Sequence, residues 1–408
     1  MSLDTTKILK KVKYNGVDFA LNSEWQPDAD MQWARSVFEN DVQEGYTYKV
    51  LVLMSGYDDT TEIPIYNRIS GYIDSSFVKT SDGVIYTYQN GQRKIKHVWD
   101  DTHAKQSMIG DYKLRWVIYY FDAPEKIYSS GAFPSVAKYI CHNCKVYLSS
   151  SNYYSLEYIE ALGDGDNIVI YNFMDCRALR GMNKLTIPDG FDTASLFSGC
   201  YNLSSLPKEI KGKFTSLSYT FNNNCNLKKF PIMDTKDVQN FTSAFSGVTL
   251  VEFSGIDFRS GTIFTNTFNL GSQLRKMTGV DFRSATTIGT IFQFSYILTV
   301  LEIKNINAAL QIGSGTSYGH LLTLDSLLNT IKELWDNTEG ETTKTLTVGS
   351  ANLTKLANIY VKLIDITDEM RAEDEFIDLK LPFVVCESTD EGAMLITDYV
   401  QSKNWTLA

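Results

Sequence analysis

Cys141-His142-Asn143-Cys144 is the densest group of metal-ligating side chains in the chain. A structural zinc site needs a second ligand pair, and the remaining cysteines belong to a different pattern or stand apart at Cys386. A redox Cys-x-x-Cys opens a helix in a thioredoxin-like βαβ unit, whereas a strand-like run follows here. Cys141 and Cys144 read as ordinary thiols of a capping coil, with metal or redox chemistry as the alternatives. The four histidines, His97, His103, His142 and His320, are scattered and none sits in a zinc-protease spacing. His97 reads as a surface residue of a hairpin strand. No phosphate-cradling glycine loop and no Gly-x-Ser-x-Gly occurs. Asp164 and Asp166 in GDGD resemble part of a calcium loop without its downstream glutamate, so turn chemistry accounts for them. Asp58-Asp59 and Asp100-Asp101 would serve a glycosidase only as carboxylates facing each other; solvated loops are the plainer reading. The sequence therefore assigns no catalytic residue, metal site or cofactor, and the chain reads as a non-enzyme.

What does recur is apolar. Phe173, Phe197, Phe221, Phe245, Phe268 and Phe292 follow one another at 24, 24, 24, 23 and 24 residues. Two more tracks keep this step: Leu179, Leu203, Leu227, Leu250, Leu274, Leu298, and Met182, Leu206, Phe230, Phe253, Met277, Leu301. A period in this range is that of leucine-rich repeats. One such copy is too small to bury its own apolar face, so neighbours must stack. Each copy predicts one short strand, paired in parallel with the next. Cys176, Cys200 and Cys225 follow three of the phenylalanines and read as a ladder of core thiols, with disulfides between coils as the alternative.

The elements around the repeat follow from local patterns. Strands turning at Asn15-Gly16 and Asn90-Gly91 read as hairpins. YKVLVLMSGY and KLRWVIYYFD read as strands, and Met31 to Phe38 as a short helix. Leu327, Leu328, Ile331, Leu334 and Trp335 share one helical face over 323–337, with Thr323 as N-cap. KTLTVGSANLTKL reads as a strand and turn, and the acidic run 366–381 as solvated. A last helix spans about Thr389 to Lys403, with Asn404 as a left-handed stop and Trp405 folding back. The fold class expected is multi-domain and β-rich: an N-terminal antiparallel β sandwich or barrel (1–125), a linker and capping coil (126–172), a leucine-rich repeat solenoid (173–312) and a mixed α/β cap (313–408).

FSGCYNLSSLP (197–207) and FNNNCNLKKFP (221–231) resemble BspA-like leucine-rich repeat proteins. The block LLNTIKELWDNTEGETTKTLTVGSANLTKL with the terminal KNWTLA resembles the C-terminal cap of such proteins in Bacteroides-group gut bacteria and their phages. The β-rich N-terminal region is similar in texture to particle proteins of crAss-like phages. The resemblance implies an adhesive or structural role in a virion, as a tail-fibre or head-decoration component. It implies partners among other virion proteins and copies of itself, a homo-oligomer with a trimer as one option, and a host surface glycan or protein. Copies four to six lack the cysteine, so their turn departs from the family pattern.

Composition fits that reading. The 408 residues carry a net charge of −10, which disfavours a nucleic-acid backbone as partner. No apolar run reaches the length that spans a bilayer. MSLDTTKILKKVKYNG has no apolar stretch after its charges, so no secretion signal is read there and synthesis in a host cytoplasm before virion assembly is expected. A bacterial cell-surface adhesin and a virion polysaccharide-degrading enzyme are the rival readings. Between the two aliphatic tracks stand Lys228, Lys229, Glu252, Arg275 and Lys276, the predicted binding face. Its lysines and arginine predict a basic stripe for an acidic sugar or subunit, against the plainer role of keeping a strand edge soluble.

Overall fold

The computed structural model describes residues 173–408 apart from 224–225, 228, 271–272, 293, 313–320 and 341. Before residue 173 it describes the strands, a helical stretch within 32–37 and a few side chains. Cys144, Asp58-Asp59, Asp164, Asp166, His320, Cys225 and Lys228 lie outside the described residues, as do the residues of both Asn-Gly turns except Gly91.

The repeat makes a column of rings. Phe173, Phe197, Phe221, Phe245, Phe268 and Phe292 are all buried, and successive centroids lie 5.4, 5.6, 5.8, 5.3 and 5.8 Å apart. Their planes tilt by only 9° to 18°. Hydrogen-bonded chains pack about 4.8 Å apart, so rings this far apart are displaced sideways by roughly 3 Å, the offset that aromatic quadrupoles favour. The backbone fixes the step. The amides of Phe173, Phe197, Phe221, Phe245 and Phe268 each donate to a carbonyl of the following coil, at Leu196, Thr220, Ala244, Thr267 and Ile291, all at 2.9 Å.

Left-handed residues bracket the rings. Two positions before a ring stand Ser195, Tyr219, Ser243 and Asn266; two positions after stand Asp175, Gly199, Asn223, Gly247, Leu270 and Phe294, all with φ between 50° and 74°. This kink on both sides turns the chain tightly about Phe197, Phe221, Phe245 and Phe268. Over the first four copies the trailing position alternates Asp or Asn with Gly for a steric reason. A Cβ on Gly199 would fall 2.4 Å from Asp175 Oδ1, and one on Gly247 2.9 Å from Asn223 Oδ1. The polar side chain of one coil thus occupies the space left bare by the glycine of the next.

The fold class read from sequence needs correction. Among the described residues the N-terminal strands form no closed barrel: Lys11–Tyr14 pairs with Val17–Ala20 alone, and the other strands before residue 125 lie in one open mixed sheet of 8 strands. Its antiparallel part joins the strands Tyr48–Ser55, Ile73–Thr80, Gly83–Tyr88, Gly91–Gln106 and Lys113–Phe121 to Val136–His142. It then continues in parallel through Tyr158–Ala161 to Gly181–Met182. Nor do the repeats build a leucine-rich repeat solenoid with one strand per copy in a continuous parallel sheet. They give separate sheets of two or three short strands: Glu209–Lys213 with Ile232–Asp234, and Glu252–Phe253 with Lys276–Asp281 and Val300–Lys304.

Proline explains the break. Phe253, Met277 and Leu301 lie in paired strands and are buried. Leu206 and Phe230 hold the same place in their copies but are only partly buried and unpaired, and each precedes a proline, Pro207 and Pro231. Proline supplies no amide hydrogen and constrains the residue before it. Pairing resumes beyond it, at Glu209 and Ile232. Phe230 compensates with edge-on contacts to Phe221, Phe245 and Phe253 at 5.0, 4.8 and 5.3 Å.

After the repeats, the helix Leu324–Lys332 starts where Thr323 accepts from the Ser326 amide at 3.2 Å, and it buries Leu327, Leu328 and Ile331. The strand Lys344–Thr347 is followed by a helix, Ser350–Leu356, where a turn was expected. The last helix is shorter than its pattern, Ile396–Ser402. Asn404 adopts φ 56° and its amide nitrogen donates to Asn337 and Gly340. Trp405 is fully buried in a strand that pairs with Lys344–Thr347. Cys176 and Cys200 are buried and form no disulfide, and the Cys200 sulfhydryl donates to Phe173 O at 3.1 Å. Burial holds the Cys200 thiol well above its usual pKa.

Phe245 touches five other rings: Phe221, Phe230, Phe253, Phe258 and Phe268. Phe245→Ala should destabilise the chain by about 3–5 kcal/mol, read by chemical denaturation. Phe294→Ala, at the partly buried trailing position, should cost far less.

Candidate functional site

Two faces of the repeat carry polar side chains that reach solvent. On the strand face, Lys229, Glu252, Arg275 and Lys276 are all exposed. Glu252 is registered directly on Lys276, and Lys276 on Val300. Taken along the 24-residue step from Ser205, the column therefore reads Ser, Lys, Glu, Lys, Val. The basic stripe expected there is interrupted by a carboxylate in the middle. Among the described residues none of these four side chains enters an ion pair, so they project separately. Val251 and Ile232, exposed beside them, add apolar surface to the same side.

A second face carries a motif visible in the sequence as two near-identical segments, GIDFRS and GVDFRS, 24 residues apart. In each, the arginine amide donates to the aspartate Oδ1 two residues earlier, 3.0 Å for Arg259 on Asp257 and 3.0 Å for Arg283 on Asp281. The guanidinium then folds onto the same carboxylate. Arg259 Nε and Nη2 reach Asp257 at 3.0 and 2.6 Å, and Arg283 Nε and Nη2 reach Asp281 Oδ2 at 3.0 and 2.8 Å. The following coil anchors both backbones: Ser284 Oγ donates to Arg259 O and Asn307 Nδ2 to Arg283 O, each at 2.7 Å. Bidentate pairing of this kind fixes a guanidinium plane. Hydrogen bonding to Arg259 is the main reason Asp257 titrates below the ordinary carboxylate range.

Arg283 uses that fixed plane. Its Cζ lies 4.5 Å from the centre of the Phe376 ring, and Nη1 donates to Glu375 Oε1 at 3.0 Å. Trp335 stacks on the same phenylalanine at 5.7 Å. The acidic run expected to be solvated is so over its helix Asp368–Glu373, which buries no residue, whereas its end, 374–381, is a docked strap. Beside it Lys380, its side chain only 2% exposed, lies against Glu333 at 2.6 Å and against Asp374. The strap backbone closes the contact, Asp336 N–H donating to Leu379 O and Leu381 N–H to Lys332 O.

Among the described residues, those first considered for chemistry are not brought together. Cys141 and His142 end the strand Val136–His142, and His97 and His103 lie in Gly91–Gln106. Asp100 opposes Trp116 across the sheet. Among the described residues no three His, Cys, Asp or Glu side chains form a metal-sized cluster, and no helix is long and apolar enough to cross a membrane. Comparison with protein-family models, with curated proteins and with solved structures returned no match.

Burial alone would raise the Asp374 pKa, yet hydrogen bonds from Lys380 and the Phe376 amide hold it below the ordinary value. Asp336 is held low in the same way by Lys403 and Thr338. A carboxyl depressed in the folded state stabilises it above the unfolded pKa of about 3.9, and that contribution is lost as pH falls through the lower folded value. The melting temperature should therefore drop as pH falls below about 4. Lys380→Met removes the main partner and leaves the Phe376 amide to oppose burial, so the Asp374 pKa should move up and the variant's melting temperature should fall less steeply below about pH 4 than that of the unaltered chain. At pH 7 the same variant should cost about 2–3 kcal/mol, below the usual figure for breaking a buried pair because both carboxylates reach solvent. A flat pH profile shared by both proteins would contradict this.

Proposed function

We propose that this chain is a non-enzymatic structural or adhesion protein of a bacteriophage particle, a tail-fibre or head-decoration component that engages a host surface or another virion subunit. The observation that carries the binding half of this reading is the division of labour within each repeat. Apolar residues are spent on ring and aliphatic contacts between coils, while Lys229, Glu252, Arg275 and Lys276 are left exposed and separate on one side. A surface of alternating charge with interspersed apolar residues suits a matched protein or glycan partner more than a uniformly charged polymer. The particle setting rests on the resemblance of the repeat turns and the C-terminal block to proteins of Bacteroides-group bacteria and their phages.

Quantitative mass spectrometry of gradient-purified phage particles tests the proposal. The chain should be present at a fixed stoichiometry to the major capsid protein. Its absence from particles, with recovery in the outer membrane of uninfected cells, would point to a bacterial adhesin instead.

A further inference from the structure

The Asp281–Arg283 step is occupied from within the chain, whereas the matching step one coil earlier is open. Arg283 has an aromatic ring over its guanidinium and a carboxylate on Nη1; its side chain is 29% exposed. Arg259 is clamped by Asp257 through the same atoms, but its side chain is 61% exposed and its Nη1 contacts no acceptor among the described residues. Both arginines therefore present a preoriented plane and one outward N–H fork, and among the described residues only one of them has a ligand.

We propose that Arg259 is a docking site for an acidic–aromatic segment, Glu-Phe or its equivalent, carried by a partner polypeptide. The internal contact supplies the recognition rule. A fixed guanidinium accepts an aromatic face on one side and gives its remaining hydrogens to the adjacent carboxylate. Charge agrees, because the aspartate clamp leaves Nη1 directed outward for an anion. Preorganisation agrees too: the clamp and the Ser284 bond to the Arg259 carbonyl are already made before any partner arrives. The proposal deepens the binding-protein reading at a face other than the strand side, and it rests on that reading only in requiring a partner that carries such a segment.

A fluorescein-labelled peptide with the sequence of residues 371–379, RAEDEFIDL, titrated into the full chain by fluorescence anisotropy, tests the site directly. Saturable binding is expected, weakened about tenfold or more by Arg259→Ala, since a charge-assisted contact plus a ring contact is worth at least one decade. Arg259→Lys keeps the charge but loses the plane and should also bind poorly. Peptides with Phe→Ala or with Glu→Gln beside the phenylalanine should lose affinity for the unaltered chain. Circular dichroism melts check that the Arg259 variants remain folded. Absence of peptide binding, or binding unchanged by Arg259→Ala, would overturn the proposal. Binding lost only with Arg283→Ala would also overturn it, by showing that the peptide displaces the strap. None of these outcomes depends on whether the chain is found in particles, so the site and its setting fail separately.

Discussion

Offset stacking of phenylalanine on phenylalanine, one ring per coil, is the interaction on which the rest of this structure depends. A coil of 23 or 24 residues cannot close a core by itself, and most of what it buries is buried by its neighbours. The ring column sets the lateral position of each coil. The amide ladder at 2.9 Å sets its height, and the left-handed residues on both sides make the turn tight enough for the next ring to land on the last. Changing any one of these would move every coil that follows.

That constraint also decides where variation is tolerated. Because the ring side carries the stacking, the strand side can be interrupted by Pro207 and Pro231 without unstacking the coils, and Phe230 fills the space that a regular strand would have left. The strand side is then free to hold side chains of mixed charge. The aspartate–arginine steps lie on a further side, where coil-to-coil bonds to arginine carbonyls hold them in place. One of the two is used to fasten the C-terminal strap, through Phe376, Glu375 and the neighbouring Lys380. The stack is thereby joined to the part of the chain that ends in the buried Trp405.

Much of this was legible in the residues. The ring spacing, the Thr323 cap, the left-handed Asn404 and the strands around Asn90-Gly91 follow from local rules acting over a few residues. The sheet architecture did not follow, because a 24-residue period fixes which residues align between copies but not whether their backbones pair. Pro207 and Pro231 carried that information in plain view. The N-terminal strands were recognisable one by one, yet alternation along a strand says nothing of closure into a barrel. The strap was missed for a different reason. Asp, Glu and Arg in 366–381 have the composition of a solvated segment, and only the position of Arg283 in space turns Glu375 and Phe376 into a docking pair. GIDFRS and GVDFRS are near-identical and 24 residues apart, which aligns Arg259 with Arg283; the difference between their surroundings is visible only in three dimensions.

Residue-resolved amide hydrogen exchange of the intact chain under native conditions addresses the ring-and-amide column most directly. The amides of Phe173, Phe197, Phe221, Phe245 and Phe268 should exchange slowly, since each is bonded to the following coil beneath a buried ring, while the Gly190 and Gly255 turns lie outside that protection. Fast exchange at those five phenylalanine amides, comparable to that of the Gly190 and Gly255 turns, would contradict the stacked arrangement.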